Sequence, residues 1–393
     1  MNDDFFRTKL LPPYVFAEVE DMKARARAAG RDVCDFGLGN PDQPTPTPIV
    51  DKLVEAARDG KNHRYQPSKG IRPVRDAIAA WYMRRFGVEI DPDAEAVATI
   101  GSKEGIGHLM LGIIGPGERV VVPAPSYPVH IYGVLIAGGE PVYYGIGPGK
   151  NHLDEIERAL RGVSGARPKG LVICFPHNPT TAVEERPFYE SIVELARREK
   201  LWVIHDLAYA DLCFDGHRAT SILEIPGARD VAVEFFTVSK SFNMPGWRLG
   251  FCVGNRTLCG ALARVKTYLD YGIFAPIQIA GAFALSTPDE IVGQVRETYR
   301  TRRDALCAGL AEAGWDVPVP RATMFAWARI PERLGMRSME FAKFLLDEAD
   351  AAVAPGAGFG PNGDDFVRFG LVESIERTQA ATVRIGRALA SRR

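Results

Sequence analysis

A single lysine, Lys240, lies between two serines in the stretch FFTVSKSFNMPGWRLGF, which spans residues 235–251. Lysine is scarce in this chain, which has 12 lysines among its 48 basic residues. Arginine stays protonated at any working pH, whereas a lysine amine can lose its proton when it is desolvated or crowded by positive charge. Because a free amine is a nucleophile toward aldehydes, the question is whether other residues build a site for an aldehyde cofactor.

Several other side chains with useful chemistry follow short apolar runs, as Lys240 does. They are Ser102 and Lys103 after AVATIG, Tyr127 after RVVVPAP, Asn178 after GLVICFP, Asp206 at the end of LWVIHD, and Tyr209 shortly beyond it. In open α/β sheets, ligands bind beyond the carboxyl ends of the strands. If the runs are parallel strands, these side chains meet at one edge of one sheet.

Each position also has an ordinary structural explanation. The small-residue turn before Ser102 opens a helix, as many turns do that bind no phosphate. Tyr127 could pack in a core, and Asn178 precedes a proline, as loop-starting residues commonly do. Asp206 could cap a helix, and Lys240 could face solvent at the start of a loop. The positions are informative only as a set.

Together they place a phosphate cup, an aromatic plate, an amide, a carboxylate and an amine along one sheet edge. Pyridoxal 5′-phosphate (PLP) needs that set, because a lysine forms an imine with its aldehyde and an acid keeps its pyridine nitrogen protonated. Amide and phenol groups stabilise its ring oxygen, and an arginine neutralises its phosphate. We therefore expect a PLP site in which burial and positive charge favour the neutral amine of Lys240.

The elements that must position these residues form an α/β pattern. Between about residues 50 and 285, continuously apolar runs alternate with amphipathic segments of helical spacing, which indicates a mostly parallel sheet covered by helices. After about residue 290, the pattern indicates a smaller α+β domain. The predicted division is 1–45 for an N-terminal arm with part of the small domain, 46–288 for the large PLP-binding domain, and 289–393 for the small C-terminal domain.

Composition and charge exclude several classes of partner. The net charge of −1 gives no bias toward nucleic acid or an anionic membrane. No apolar stretch approaches the length of a membrane span, and the N-terminal stretch MNDDFFRTKLLPPYVF lacks the features of a signal peptide. The six cysteines are scattered without metal-ligand spacing, so we expect reduced thiols, no metal and a cytoplasmic protein.

The sequence resembles the fold-type I PLP enzymes, in particular the class I/II aminotransferases, over essentially its whole length. The strings that carry the resemblance are N-P-T at 178–180, D-L-A-Y at 206–209, S-K followed by G-W-R-L-G at 239–250, P-G-x-x-F-G at 355–360 and V-R-F at 367–369. The resemblance implies the PLP-dependent transferase fold. It also implies transfer of an amino group between an amino acid and a 2-oxo acid by a ping-pong mechanism.

The resemblance assigns roles to individual residues around the cofactor. Lys240 would form the imine and act as the base that shuttles a proton, and Asp206 would pair with the pyridinium nitrogen. Asn178 and Tyr209 would hold the ring oxygen, with Asn178 also facing the substrate, and Tyr127 would stack on the ring. The phosphate would be held by Ser102, Lys103, Thr237, Ser239 and Arg248.

Substrate and subunit contacts are implied in the same way. Arg368 would grip the substrate α-carboxylate by a two-point hydrogen bond that lysine could not copy, and the backbone of Gly39 would approach that carboxylate. Tyr65 matches a tyrosine that reaches the phosphate of the neighbouring subunit, so the functional unit would be a homodimer. The candidates for the wall of the substrate side-chain pocket are Tyr14, His130 and Tyr132, for which packed or surface positions stay open.

Within this superfamily, the resemblance is strongest to the bacterial glutamate–pyruvate (alanine) aminotransferases, neighbours of the LL-diaminopimelate aminotransferases. The strings GSKEG, PSYPVHIYG, HDLAYAD, GARDVAVEFFTVSKSFNMPGWRLGF and DYGIFAPIQ carry it. His177, Thr181 and Pro245 depart from that group. His177 and Thr181 flank the ring-oxygen contact, so valine, methionine, aromatic amino acids or diaminopimelate stay open as donors beside alanine.

Three other functions compete with this interpretation. A β-lyase or decarboxylase would share the cofactor residues and differ in which bond breaks. A regulatory protein with an aminotransferase-like domain would need an appended DNA-binding module, for which the first forty residues have neither the length nor a basic helix pair. A nicotinamide-dependent enzyme would need a G-x-G-x-x-G turn after its first strand, and GSKEG does not substitute for it.

Overall fold

The computed structural model describes residues 5–392 of the chain. Its N-terminal part contains α1 (Phe6–Lys9), α2 (Val15–Ala28), β1 (Cys34–Asp35), α3 (Thr47–Arg58) and α4 (Arg72–Phe86). Two of these helices, α1 and α2, fall within the predicted arm. Prolines at the start of α3 and α4 suit the first turn of a helix, where the backbone N–H has no partner.

The central part forms a seven-stranded sheet with its covering helices. Its strands are β2 (Ala96–Thr99), β3 (Arg119–Ala124), β4 (Glu140–Gly145), β5 (Gly170–Ile173), β6 (Trp202–Asp206), β7 (Ala232–Thr237) and β8 (Gly250–Gly254). Its helices are α5 (Ser102–Ile113), α6 (Pro128–Ala137), α7 (His152–Arg161), α8 (Arg186–Glu199), α9 (Val238–Ser241), α10 (Arg256–Leu269) and α11 (Ala275–Leu285).

The strand order is β2-β8-β7-β6-β5-β3-β4. Strand β8 runs antiparallel to both of its neighbours, and the other neighbouring strands pair in parallel. Successive residues of one strand join different apolar clusters: Val121 packs on one face, and Val120 and Val122 on the other. Burial on both faces explains the continuously apolar runs, and the prediction of a mostly parallel sheet is confirmed.

The C-terminal part builds a second, smaller sheet. Its elements are α12 (Asp289–Glu312), β9 (Phe325–Arg329), α13 (Ser338–Ala349), β10 (Ala351–Ala352), β11 (Ala354–Pro355), β12 (Phe366–Gly370) and α14 (Ile375–Ala390). Strands β11, β12 and β9 form an antiparallel sheet in that order. Strand β10 pairs in parallel with β1, so the segment after α2 joins the C-terminal elements. The domain boundaries at residues 45 and 288 stay a prediction.

Short 3-10 turns connect several of these elements. They span Gly60–His63, Ile222–Glu224, Ala228–Asp230, Pro245–Trp247, Glu332–Leu334 and Gly356–Phe359. None of the helices formed by residues 5–392 combines the length and apolar character needed to cross a membrane.

Candidate active site

A pocket of about 210 Å³ lies where the carboxyl ends of β6 and β7 face the small sheet. Its wall contains most of the residues predicted from the sequence. They are Tyr14, Gly39, Ser102, Lys103, Tyr127, Asn178, Asp206, Tyr209, Thr237, Ser239, Lys240, Arg248 and Arg368. Because these residues come from both sheets and from the N-terminal segment, the pocket depends on the whole fold.

Lys240 lies in α9, the single helical turn that follows β7. Thr237 caps this turn: its hydroxyl accepts the Ser239 N–H at 3.2 Å and donates to the Leu249 carbonyl at 3.0 Å. Within residues 5–392 the Lys240 amine has neither a hydrogen bond nor an ion pair. Burial, followed by the charges of Arg368 and Arg248, lowers the pKa of Lys240 to about 8. About a tenth of the amine is therefore neutral at pH 7.

The amino end of α5 faces the same pocket. Ser102 is its first residue, and the free N–H groups of the first turn and the helix dipole favour an anion there. Gly101 precedes it with a φ of +77°, and a Cβ at this position would lie 2.5 Å from the Arg248 guanidinium. Only glycine fits, because the backbone is left-handed and the arginine lies against it.

Two cations flank this helix end. Arg248 donates to the carbonyls of Pro245 at 2.9 Å and Ile100 at 3.5 Å. Lys103 has its ammonium 5.8 Å from the centre of the Tyr127 ring. Partial burial and the Arg248 charge lower the pKa of Lys103. Neither cation pairs with a carboxylate among the described residues, so the helix end and its cations fit a phosphate.

Asp206 ends β6 and brings the one carboxylate that the described residues place in the pocket wall. Its Oδ2 lies 3.0 Å from His130 Nε2, and its Oδ1 accepts the Ala208 N–H at 3.3 Å. The other ring nitrogen of His130 lies 2.8 Å from the Ser126 hydroxyl. An Asp206 carboxylate held in this way suits a partner with a protonated ring nitrogen.

His130 does not line the pocket and takes the packed position that the sequence left open for it. It is fully buried because its ring turns from α6 toward the Asp206 carboxylate. Tyr132, on the same helix, also lies outside the pocket, half-buried against the apolar cluster on that face of the sheet. Tyr14 does line the pocket, and its ring meets the edge of Phe16 at 5.2 Å.

Arg368, from β12, lines the same pocket as Lys240. Its Nη1 donates to Asn178 Oδ1 at 2.8 Å, and the Asn178 amide lies 3.4 Å from the Tyr209 hydroxyl. Its buried Nε has no partner within residues 5–392. Burial lowers the pKa of Arg368 to about 10, which still leaves the guanidinium protonated at neutral pH. A buried cation without a carboxylate is suited to an anionic ligand.

Two phenylalanine rings contact the Arg368 guanidinium, and neither was predicted from the sequence. Its central carbon lies 3.9 Å from the Phe325 ring centre and 4.6 Å from that of Phe359. Phe359 could have been predicted from the sequence, because it belongs to the P-G-x-x-F-G string. Phe325 could not, because it lies in an ordinary apolar strand. Gly39 has a φ of +60°, and a Cβ there would clash with the Phe325 ring. Its backbone can therefore lie at the pocket wall.

Tyr65 does not reach this pocket. Its side chain is 87 % exposed, and its ring centre lies 5.1 Å from that of Tyr271. The position of Tyr65 therefore does not support a contact with a phosphate bound to its own chain. It is compatible with a contact to a phosphate bound by a second subunit.

The donor set fits PLP. Among residues 5–392, the wall offers unpaired positive charge at Arg248, Arg368 and Lys240 and a single carboxylate at Asp206. PLP and an amino acid bring a phosphate, a phenolate and an α-carboxylate, together with one cationic ring nitrogen. The charges of the wall and of these ligands therefore complement each other.

Comparisons with known proteins place the chain in a family. The family Aminotransferase class I and II matches residues 31–383. The chain is 51 % identical over 378 residues to the glutamate-pyruvate aminotransferase AlaC of Escherichia coli, covering 96 % of this chain and 92 % of that protein. It is 42 % identical to the LL-diaminopimelate aminotransferase of Moorella thermoacetica, covering 98 % and 97 % of the two chains.

Solved structures agree with this placement. The substrate-bound structure of BacF from Bacillus subtilis superposes with a TM-score of 0.92 at 31 % identity, covering 98 % of each chain. The predicted fold, the PLP-dependent transferase fold type I, is thereby confirmed. The chain belongs to the class I and II aminotransferases, PLP-dependent enzymes that move an amino group between an amino acid and a 2-oxo acid.

Proposed function

We propose that this aminotransferase moves the amino group between alanine and glutamate, with pyruvate and 2-oxoglutarate as the matching 2-oxo acids. The support for this substrate pair is the identity to the Escherichia coli glutamate-pyruvate enzyme over nearly the whole of both chains. The similarity to an LL-diaminopimelate enzyme makes diaminopimelate the second candidate donor.

The proposed residue roles rest on two groups without a partner that line the same pocket. Lys240 offers an amine with a lowered pKa, and Arg368 offers a buried guanidinium without a carboxylate. We propose that Lys240 Nζ is the point of covalent attachment for the cofactor aldehyde. Arg368 then binds the substrate α-carboxylate through two N–H groups.

The remaining cofactor contacts follow from the same wall. Asp206 would face the pyridine nitrogen, held in place by His130. Asn178 and Tyr209 would face the ring oxygen, and Tyr127 would pack on the ring. The phosphate would lie among the amino end of α5, Lys103 and Arg248, with the Thr237 and Ser239 hydroxyls.

The chain's own residues then perform the positioning and the proton transfers. By fixing the carboxylate, Arg368 orients the Cα–H bond of the substrate toward Lys240. Bound PLP supplies the electron sink for the electrons released at that carbon. The neutral amine of Lys240 would take the Cα proton as general base and then, as general acid, give a proton to C4′, the cofactor carbon that carried the aldehyde. The kinetics should be ping-pong.

We also propose a homodimer that Tyr65 completes. Its ring packs on the exposed ring of Tyr271, and the same segment also exposes Tyr268 and Phe274. Tyr65 and Tyr268 are 87 % and 86 % exposed, and a cluster of exposed aromatic rings is typical of protein–protein contact. A second copy of the chain would cover this patch and receive the Tyr65 hydroxyl.

The cytoplasmic location expected from the cysteines, which are all free and buried, stays a prediction.

One experiment tests the attachment site and a second tests the substrates. Borohydride treatment of the holoenzyme, followed by peptide mass mapping, should place the label on Lys240. A label on another residue, or no label, would refute the role.

Pyruvate formation from alanine and 2-oxoglutarate should exceed product formation from valine, methionine, phenylalanine or LL-diaminopimelate in a matched donor panel. A larger kcat/KM with LL-diaminopimelate would overturn the alanine proposal and leave the aminotransferase assignment unchanged. Release of ammonia and a 2-oxo acid without an acceptor would indicate a lyase instead.

A further inference from the structure

His177 immediately precedes Asn178 and holds the turn that carries it. It is fully buried. Its backbone N–H donates to the Ala182 carbonyl at 2.9 Å, and its carbonyl accepts the Thr181 N–H at 2.8 Å. Its ring Nδ1 lies 2.7 Å from the Thr180 hydroxyl and 3.4 Å from the Thr180 backbone nitrogen. One residue thus makes hydrogen bonds to three successive residues of the turn.

These contacts fix the protonation of the ring. The Thr180 backbone N–H can only donate, so His177 Nδ1 must be an acceptor without a proton. The neutral imidazole therefore carries its proton on Nε2, which has no partner among the described residues. Burial, with the neighbouring His130 and His152, lowers the pKa of His177 well below its usual range, in agreement with this geometry.

The turn contains a strained residue that these bonds restrain. Thr181 has a φ of +62°, in the left-handed region that β-branched side chains rarely adopt. Strained residues of this kind persist when the surrounding structure over-determines them, and they cluster at functional sites. The bond from the Thr181 N–H to the His177 carbonyl supplies part of that restraint.

The turn matters because Asn178 is its second residue. The Asn178 carboxamide contacts Arg368 at 2.8 Å and the Tyr209 hydroxyl at 3.4 Å. A displacement of the turn would therefore move the amide that touches both proposed ligand-binding groups.

We propose that His177 is a positioning residue, whose neutral ring and backbone hold the strained Thr181 turn so that Asn178 meets Arg368 and Tyr209. The inference rests on the proposed function, because it gives Asn178 its place at the cofactor. Displacement of a positioned group by about 1 Å can cost on the order of 100-fold in rate. We therefore expect His177→Phe, which keeps the ring volume and loses the acceptor, to lower kcat/KM by about 10- to 100-fold.

Two measurements separate positioning from simple loss of packing. The first is the pH titration of the absorbance of the bound cofactor, whose midpoint should shift in His177→Phe because the ring-oxygen contact has moved. The second is the partition of the kinetic loss, which should appear in KM as well as in kcat because Arg368 shifts with Asn178. A His177→Phe enzyme with wild-type titration and kinetics would overturn the proposal.

Variants of the partner residue keep the test informative if His177→Phe does not fold. Thr180→Val removes the hydroxyl partner and should shift the titration in the same direction, whereas Thr180→Ser keeps the hydroxyl and should restore the wild-type midpoint. Adding Thr181→Gly, which relieves the backbone strain, should recover part of the lost kcat/KM. Equal behaviour of Thr180→Val and Thr180→Ser would contradict the proposal.

His152→Phe is the matched control, because it also removes a buried imidazole but one that pairs with Glu184 rather than with Thr180. Its cofactor titration should match the wild type. A shift as large as that of His177→Phe would attribute the effect to packing and refute positioning. If the wild-type chain transaminates no donor, the proposed function fails, while the cofactor titration still decides the role of His177.

Discussion

Strand β6 ends with two titratable residues that serve different regions of the molecule. His205 joins a network around Glu234 in β7, whereas Asp206 faces the pocket. Glu234 is fully buried and receives hydrogen bonds from Tyr82, Ser221, the Ile222 N–H and His205 at 2.7 to 3.0 Å. The other ring nitrogen of His205 lies 3.2 Å from a backbone carbonyl. Both ring nitrogens of His205 therefore have partners inside the protein.

In the pocket, by contrast, several charged groups have no partner among the described residues. Within the described part of the chain, Lys240 has no hydrogen bond, Arg368 has a buried nitrogen without a partner, and Arg248 meets only carbonyls. Buried polar groups are normally satisfied, and each exception requires an explanation. The network around Glu234 is satisfied internally and so stabilises the fold, whereas the pocket leaves charge for ligands. Variants of the two regions should therefore lose different properties.

The largest expected effect is on activity, from Lys240→Ala. Loss of both the attachment point and the proton carrier should lower kcat by about 10⁴-fold or more. In the cofactor-free protein the thermal midpoint should not fall, because the variant removes an amine that burial keeps partly neutral. Turnover should be measured with added PLP, and thermal unfolding on the cofactor-free protein.

The matched control is Lys266→Met, which removes a fully buried lysine paired with Glu104 at 3.1 Å and Asp270 at 3.0 Å. This variant should lose stability and retain covalent attachment of the cofactor. If Lys240→Ala and Lys266→Met lost stability equally, the contrast between satisfied and unsatisfied charge would be wrong.

Arg368→Met should have the second largest effect. Truncating one member of a buried, hydrogen-bonded charge pair costs about 2–5 kcal/mol, so kcat/KM for the amino donor should fall by about 30- to 4,000-fold. Arg368→Lys should also be impaired, chiefly in substrate binding and orientation, because an ammonium cannot reproduce the two parallel hydrogen bonds. Unchanged kcat/KM in either variant would require another carboxylate receptor.

Arg302→Met provides the control for the loss of a buried arginine. Arg302 donates to both Asp42 oxygens, at 2.6 and 2.8 Å, so its charge is already satisfied. Its loss should lower the free energy of unfolding and spare the affinity for the donor. The converse pattern would show that Arg368 is a structural residue.

Glu234→Gln should affect stability rather than chemistry. The substitution preserves the size of the side chain but leaves the His205 ring without a carboxylate, and breaking a buried pair costs about 3–5 kcal/mol. Denaturant unfolding should show this loss, while kcat per folded, cofactor-loaded subunit should stay within about 2-fold of the wild type. A large fall in kcat with normal stability would link this network to the pocket.

Much of the pocket was predictable because its parts lie at strand ends or in short strings. Asp206 ends a run that is apolar because both sheet faces are covered, and Lys240 follows the next run. The contacts between those parts were not predictable, because they join distant positions. His130 and Asp206 are 76 residues apart, and Asn178 and Arg368 are 190 apart. Sequence spacing alone does not define which buried side chain turns toward which.

The network around Glu234 could have been predicted in part from the sequence. Glu234 is an acid inside the continuously apolar run VAVEFFTVS, and a buried carboxylate requires donors. The pattern alone would therefore have predicted a network. It would not have identified Tyr82 or Ser221, because the former lies 152 residues away on α4 and the latter precedes a separate 3-10 turn.

The pH dependence of cofactor attachment should show a moderate effect. Only the neutral amine attacks an aldehyde, so the rate of PLP attachment to the cofactor-free protein should rise with pH to a midpoint near 8, not near 10.5. Arg368→Met removes a positive charge that favours the neutral form and should move the midpoint upward. Stopped-flow absorbance across pH measures both midpoints, and a wild-type midpoint near 10.5 would contradict the unsatisfied-amine interpretation.

The smallest expected effect is that of Tyr65→Phe, which removes one hydroxyl proposed to reach the partner's phosphate. Loss of one hydrogen bond to a charged group should weaken PLP binding by about 10-fold. Mixed dimers with Lys240→Ala chains should restore tight binding, because the Tyr65→Phe chain keeps Lys240 and receives Tyr65 from its partner. Mixing with a Tyr65→Phe, Lys240→Ala double variant should restore nothing. Equal PLP affinity in both mixtures would show that Tyr65 does not contact the phosphate bound by the partner subunit. The residues of one subunit would then have to bind PLP without help from the other.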